Sequence, residues 1–305
     1  MISFRARLVR LMSRQYFKTI TPESDVAELR KSWDEIGSKL KVAKGVRLRE
    51  AVVDHVSCEW LVPEKCDEAD VILYLHGGIY MLGSANTHRR MVSFIARETG
   101  MRALIPNYRL APEHPFPAAI EDATLIYRKL LEQGIPAGRI AVGGDSAGGG
   151  LTMATLLALK NAGDPMPGAA FLMSPWLDLA GKGESLKTRA DKDPWFDPAN
   201  IPEMVRRYCG SRNPKAPLIS PLYGELSGLP PVLIQVGDHE ILLSDSTRMA
   251  DRLTEAGVKV ELQVWPEMWH VFQYFVGQMP ESLRAIRDIA SFLSVEMGSG
   301  SKRAA

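Results

Sequence analysis

The chain has 305 residues, 46% hydrophobic and 24% charged, and its 37 basic and 36 acidic side chains leave a formal net charge of +1. That is the composition of a globular protein large enough for one extensive core, or a core with a subdomain. The near-neutral balance gives no field for a nucleic-acid partner, and no apolar run reaches the roughly eighteen residues of a membrane span, so no stable membrane anchor is expected. Three cysteines, Cys58, Cys66 and Cys209, are odd in number and lack metal-ligand spacing, which favours a reducing, cytoplasmic setting and no metal site.

In chain order, Met1 to Lys18 is basic and amphipathic, with Phe4, Leu8 and Leu11 at helical spacing among Arg5, Arg7, Arg10 and Arg14. It lacks the continuous apolar stretch of a secretory signal. A helix lying on a membrane surface is one reading; the favoured one is a helix that packs its apolar stripe on the protein's own body. Arg47–Val53 and His55–Val62 then read as antiparallel strands at one sheet edge. Short apolar runs follow at Val71–Leu75, Ala103–Ile105, Ile140–Val142, Ala169–Met173 and Val232–Val236, as buried parallel strands require. Val260–Val264 alternates more and suits the opposite edge. Helical stretches lie between the runs, around Arg89–Thr99, Pro117–Gln133, Leu151–Ala162 and Ser246–Ala256. The alternation predicts an α/β fold with a mostly parallel central sheet flanked by helices.

Two segments fall outside the alternation. Residues 1–45 are helical before any strand, and 181–217 are rich in charge, proline and aromatics. Together they are expected to form a helical cap over a core made of 46–180 and 218–297. The small, polar, basic tail 298–305 is expected to be disordered.

The most informative stretch is Gly144-Asp145-Ser146-Ala147-Gly148, a serine between glycines with a strand before it and a helix after it. This is the pattern of a nucleophile elbow, in which small neighbours tolerate the strained backbone that lifts a hydroxyl clear of the sheet. A serine needs a base, and a carboxylate to orient that base. In this arrangement the chain order is serine, acid, histidine. Of six histidines, His270 follows the last predicted strand and is the candidate base, with His239 its nearest competitor. The acid follows Val232–Val236, where Asp238 and Glu240 are both available and the residues alone do not separate them. Donors for a tetrahedral oxyanion are expected from the backbone of Ala147 and from Gly77 and Gly78 of His76-Gly77-Gly78.

With these residues in place, the chain from about Val71 to Leu293 resembles the bacterial hormone-sensitive-lipase-like (family IV) carboxylesterases of the α/β-hydrolase superfamily. The resemblance rests on His76-Gly77-Gly78, Tyr108-Arg109-Leu110-Ala111-Pro112-Glu113, Gly144-Asp145-Ser146-Ala147-Gly148 and Ser174-Pro175-Trp176. It implies an α/β-hydrolase fold with a cap, and hydrolysis of short- to medium-chain carboxylic esters through an acyl-enzyme without a cofactor. The partner it implies is a small ester, and a homodimer is compatible with it. It also bears on the acid: members carry it three residues after the glycine that ends the strand, which selects Glu240. The family often has a third glycine where this chain has Ile79, so that side chain is expected to narrow the alcohol side and disfavour tertiary-alcohol esters. An amidase or deacetylase would share these residues. A non-catalytic ligand receptor is the reading from another class, and retention of His270 speaks against it.

Overall fold

The computed structural model describes residues 2–17, 21 and 24–298. Two helices, α1 (Phe4–Phe17) and α2 (Val26–Ser38), precede the first strand. The Asp25 carboxylate starts α2 by accepting the backbone N–H groups of Ala27 and Glu28, which have no acceptor within the helix. The chain then runs β1 (Val46–Val53), β2 (Val56–Pro63), β3 (Asp67–Leu75), α3 (Ala85–Thr99), β4 (Met101–Pro106), α4 (Ala118–Glu132), β5 (Ile140–Asp145) and α5 (Ala147–Ala162). It continues with β6 (Ala169–Met173), the short α6 (Ser185–Thr188), α7 (Ile201–Cys209), β7 (Val232–Gly237), α8 (Leu243–Glu255), β8 (Val260–Trp265) and α9 (Pro280–Met297).

All eight strands join one sheet in the order β1-β2-β4-β3-β5-β6-β7-β8. Only β2 runs against its neighbours, and the rest pair in parallel. β5, β6 and β7 are buried along their whole length, whereas the edge strand β8 has no buried residue. Helices cover both faces of the inner strands, which is why those strands carry apolar side chains in continuous runs.

Within β3 the alternation of side chains divides the core. Val71, Leu73 and Leu75 face one side with Ile120, Ala123 and Tyr127 of α4, while Ile72 and Tyr74 face the other with Val92 and Ile95 of α3 and Ile286 and Ile289 of α9. After β3 the chain goes outward to β4, then crosses back to β5 on β3's other side. Loops leaving β3 and β5 at their carboxyl ends therefore diverge, opening the crevice where ligands bind in open α/β sheets.

One expectation is corrected. The apolar stripe of α1 does not pack on the body: Phe4, Leu8, Leu11 and Met12 are 81, 49, 64 and 65% exposed. The helix docks through the opposite side, where Ala6 and Ser13 are buried. Small side chains let it lie close to the protein, and polar contacts hold it there. Ser3 donates to the Glu281 carboxylate from both its N–H and its hydroxyl, and Arg10 donates to Nδ1 of His239 and to the Lys192 carbonyl. Among the described residues no helix is long and apolar enough to cross a membrane. The expected tail lies, beyond Gly298, outside the described residues.

Candidate active site

Each candidate residue sits at or just past the carboxyl end of a strand. Ser146 stands between β5 and α5 with φ 52° and ψ −122°, a region a non-glycine residue seldom occupies. The surroundings hold it there: its N–H donates to the Met173 carbonyl at the end of β6, and its own carbonyl accepts from Trp176 and Gly150. Gly148 faces the carbonyls of Leu75 and His76 so closely that a Cβ would collide with both. Glycine at this position lets α5 and the loop after β3 touch, which sets the distance between nucleophile and loop.

His270 and Glu240 are fully buried, and the ring Nδ1 donates to Glu240 Oε2 at 2.9 Å. The second carboxylate oxygen, Oε1, accepts from the Ser174 hydroxyl and from the Gly237 N–H, each at 2.7 Å. Ser174 in turn accepts the N–H of Val271, so it ties the acid to the residue after the base. Asp238, the other carboxylate, turns away: it accepts the N–H of Glu267 and is partly exposed. The competing His239 is engaged by Arg10. Ser146 and His270 line one cavity, and among the described contacts no hydrogen bond yet joins them. Serine–histidine contacts of this kind are commonly loose without substrate and tighten around it.

The oxyanion expectation needs one correction. The Gly77 N–H donates to Asp145 Oδ1 at 3.0 Å and so is not available to a substrate. The sequence does not show this, because the acceptor lies 68 residues along the chain. Among the described residues the N–H groups of Gly78 and Ile79 have no acceptor, and both residues line the cavity. Gly78 has φ +118°, which suits glycine, and Ile79 has φ +54°. Ala147 opens α5, where backbone N–H groups lack intrahelical partners.

Behind this loop lies a buried polar network. Asp145 also accepts from the Tyr74 hydroxyl at 2.6 Å and lies 3.5 Å from Nε2 of His88. Burial would raise its pKa, but His88 and the hydrogen bonds outweigh that and hold it below the usual carboxylate value. His76 is fully buried and stacked on Tyr108 at 4.3 Å; burial, reinforced by neighbouring His88, lowers its pKa to about 3. The Tyr108 hydroxyl donates to the His76 carbonyl at 2.6 Å. Asp145, Tyr108 and Ser174 all stand in the sequence motifs, yet their supporting roles had no sequence signal beyond that membership.

The cavity holds about 340 Å³. Val9, Met12, Trp33 and Ile36 reach it from the N-terminal segment, and Trp195, Phe196 and Met204 from residues 181–217. A side pocket of about 20 Å³ meets Ser146 between Ile79, Trp176, Phe196 and Met204. Trp195 and Phe196 stand edge-on to the His270 ring at 5.7 and 4.9 Å. The buried Asp193 carboxylate joins these aromatics to the acid's loop. One oxygen accepts the N–H groups of Trp195 and Phe196, and the other that of Ile241, next to Glu240.

Residues 72–274 match the family model described as alpha/beta hydrolase fold. The chain belongs to that family. An acetyl-hydrolase of Streptomyces hygroscopicus is 45% identical over 250 residues, 82% of this chain and 83% of the relative. A putative acetyl-hydrolase LipR of Mycobacterium tuberculosis is 35% identical over 253 residues, 83% of this chain and 82% of the relative. The crystal structure of an esterase from the bacterial hormone-sensitive lipase family superposes with a TM-score of 0.93 at 42% identity, covering 98% of this chain and 100% of that one. The chain is thus a hormone-sensitive-lipase-like α/β hydrolase.

Two predictions follow from the site of this hydrolase. Hydrogen bonds to charged groups contribute about 1.5–3 kcal/mol, so removing the Ser174 hydroxyl should misplace both acid and base. Ser174→Ala should lower kcat roughly 10- to 100-fold with less change in KM, as steady-state kinetics would show; unchanged kcat would deny Ser174 that role. The second concerns acid stability. The folded pKa of His76 lies below its unfolded value of 6.5, so between pH 6.5 and about 3 the unfolded chain binds the extra proton. This contribution leaves stability unaffected above that window and erodes it as pH falls through it. Urea midpoints across the window should fall less steeply in His76→Asn than in the parent; equal slopes would refute the assignment.

Proposed function

We propose that this protein is a serine carboxylesterase that hydrolyses short- to medium-chain esters through an acyl-enzyme. The observation that carries the reading is the buried Glu240–His270 hydrogen bond, with the imidazole lining the same cavity as a serine on a strained elbow. Ser146 Oγ attacks the ester carbonyl while His270 Nε2 takes its proton, and Glu240 stabilises the imidazolium through Nδ1. The N–H groups of Gly78, Ile79 and Ala147 receive the oxyanion. His270 then protonates the leaving alcohol, water activated by the same ring attacks the acyl-serine, and the acid leaves. The described part of residues 1–45, together with 181–217, acts as the cap that walls the cavity.

An organophosphate such as paraoxon should label Ser146 in one-to-one stoichiometry, as intact-mass measurement would show. Ser146→Ala and His270→Ala should each reduce kcat by about 10³-fold or more. A stoichiometric label elsewhere, or full activity in Ser146→Ala, would end the triad reading. Phosphorylated Ser146 with no ester turnover would point instead to a receptor-like binder.

The side pocket at Ser146 is apolar and has room for little more than an acetyl methyl, so longer acyl or alcohol chains would extend into the larger cavity of about 340 Å³. Ile79 borders both spaces. kcat/KM for p-nitrophenyl esters should peak at acetate to hexanoate and fall by decanoate. tert-Butyl acetate should be turned over far more slowly than n-butyl acetate, a difference that Ile79→Gly should reduce. A rise in kcat/KM towards dodecanoate, or equal rates for the two butyl esters, would contradict this pocket assignment. Matched amides, run beside the esters, separate an esterase from an amidase.

A further inference from the structure

We propose that α1 docks the mouth of the catalytic cavity reversibly onto an anionic lipid surface. The exposed side chains Phe4, Leu8, Leu11 and Met12 fall at positions i, i+4, i+7 and i+8, so at 3.6 residues per turn they form one stripe along the helix. Arg5 and Arg7 are exposed and flank that stripe on its two sides. The opposite side, with Ala6 and Ser13, is the one fixed to the protein. The apolar stripe therefore points outward from a helix whose orientation is set by packing beneath it.

Charge decides the occupant. α1, Phe4–Phe17, contains no Asp or Glu; of the charged groups that neighbouring loops place beside Arg7 and Leu11, Asp193 is buried, Glu267 is half-buried, and the exposed Asp191 and Lys192 cancel in sum. A second copy meeting this face about a two-fold axis would bring together two stripes that are both bordered by arginine, with no acidic residue on either helix to pair them. An anionic bilayer offers the complement instead: acyl chains for the stripe and headgroup phosphates for guanidiniums at its borders. Apolar insertion and basic attraction together give reversible binding rather than a stable anchor.

Position supplies the consequence. Met12 is exposed and also lines the cavity that holds Ser146, so it stands at the opening, with Val9 and Ser13 deeper on the same wall. A docked α1 sets that opening against the lipid, and an ester dissolved in the bilayer reaches Ser146 without crossing water. This consequence rests on the esterase reading; the docking itself does not.

The test is sedimentation of the full chain with vesicles of phosphatidylcholine alone or mixed with phosphatidylglycerol, at low and high salt. Binding should need phosphatidylglycerol and weaken as salt rises. The triple variant Phe4→Ser/Leu8→Ser/Leu11→Ser and the pair Arg5→Glu/Arg7→Glu should each lower the partition coefficient roughly tenfold or more. Both should keep the parent's melting temperature and its turnover of p-nitrophenyl butyrate in solution. The charge-reversed pair retains every apolar side chain and so serves if the triple variant fails to fold. A parent chain that stays in the supernatant with anionic vesicles would overturn the proposal, as would variants that bind like the parent. Light scattering that shows a dimer split by the triple variant, without vesicle binding, would assign the stripe to a second copy and overturn it too.

Discussion

The candidate site depends on one buried carboxyl group. Glu240 carries a carboxylate with no exposed side-chain surface, a placement that costs several kcal/mol unless the charge is paired and hydrogen-bonded. It is satisfied by the Ser174 hydroxyl, the Gly237 N–H and the His270 ring. These partners come from the ends of β6 and β7 and from the loop after β8, so β6, β7 and β8 must be in register before any of them can serve. An unpaired Glu240 would destabilise the strand ends around it. The interaction that holds the His270 ring is thus also one that the fold has reason to keep.

A second buried carboxylate does comparable work on the other side of Ser146. Asp145 binds the Gly77 N–H and the Tyr74 hydroxyl, and Tyr108 supports the same loop from behind through the His76 carbonyl. Gly148 permits the close approach on which this depends. The loop is therefore held from below, while among the described residues the amides of Gly78 and Ile79 have no acceptors. A group that stabilises charge only as the charge appears must be aimed in advance, since reorganising it during the reaction would consume the gain. Ser146 itself is held at a strained φ by backbone hydrogen bonds to Met173, Trp176 and Gly150, which shows where that strain is offset.

α1, α2 and residues 181–217 contribute walls and bracing. Asp193 couples Trp195 and Phe196, which face the imidazole, to the loop of Glu240. The cavity wall and the loop that carries Glu240 are then connected through one side chain. α1 contributes differently: it closes part of the cavity with Val9, Met12 and Ser13 and turns its largest apolar residues outward.

Much of this was legible in the residues. Continuous apolar runs between helical stretches announce a parallel sheet, because only strands covered on both faces can be apolar throughout, and the elbow at Ser146 is local geometry written in small residues. The order of serine, acid and histidine followed from the strand ends on which they sit. What the sequence left open were choices made between distant segments. Asp238 and Glu240 have similar chemistry and near-identical position, so their own residue types do not separate them; the family resemblance selects Glu240, and the meeting of β6, β7 and the loop after β8 is what directs that carboxylate to His270 and the other to Glu267. Gly77 and Gly78 look alike as donors until Asp145, at the end of the adjacent strand β5, takes one of their N–H groups. The outward stripe of α1 has the same origin: periodicity shows that a helix has two faces, but the shape of the surface beneath selects the small-residue side for contact. Local pattern encodes which elements form; hydrogen-bond partners brought together from far apart in the chain decide which atoms remain free to act.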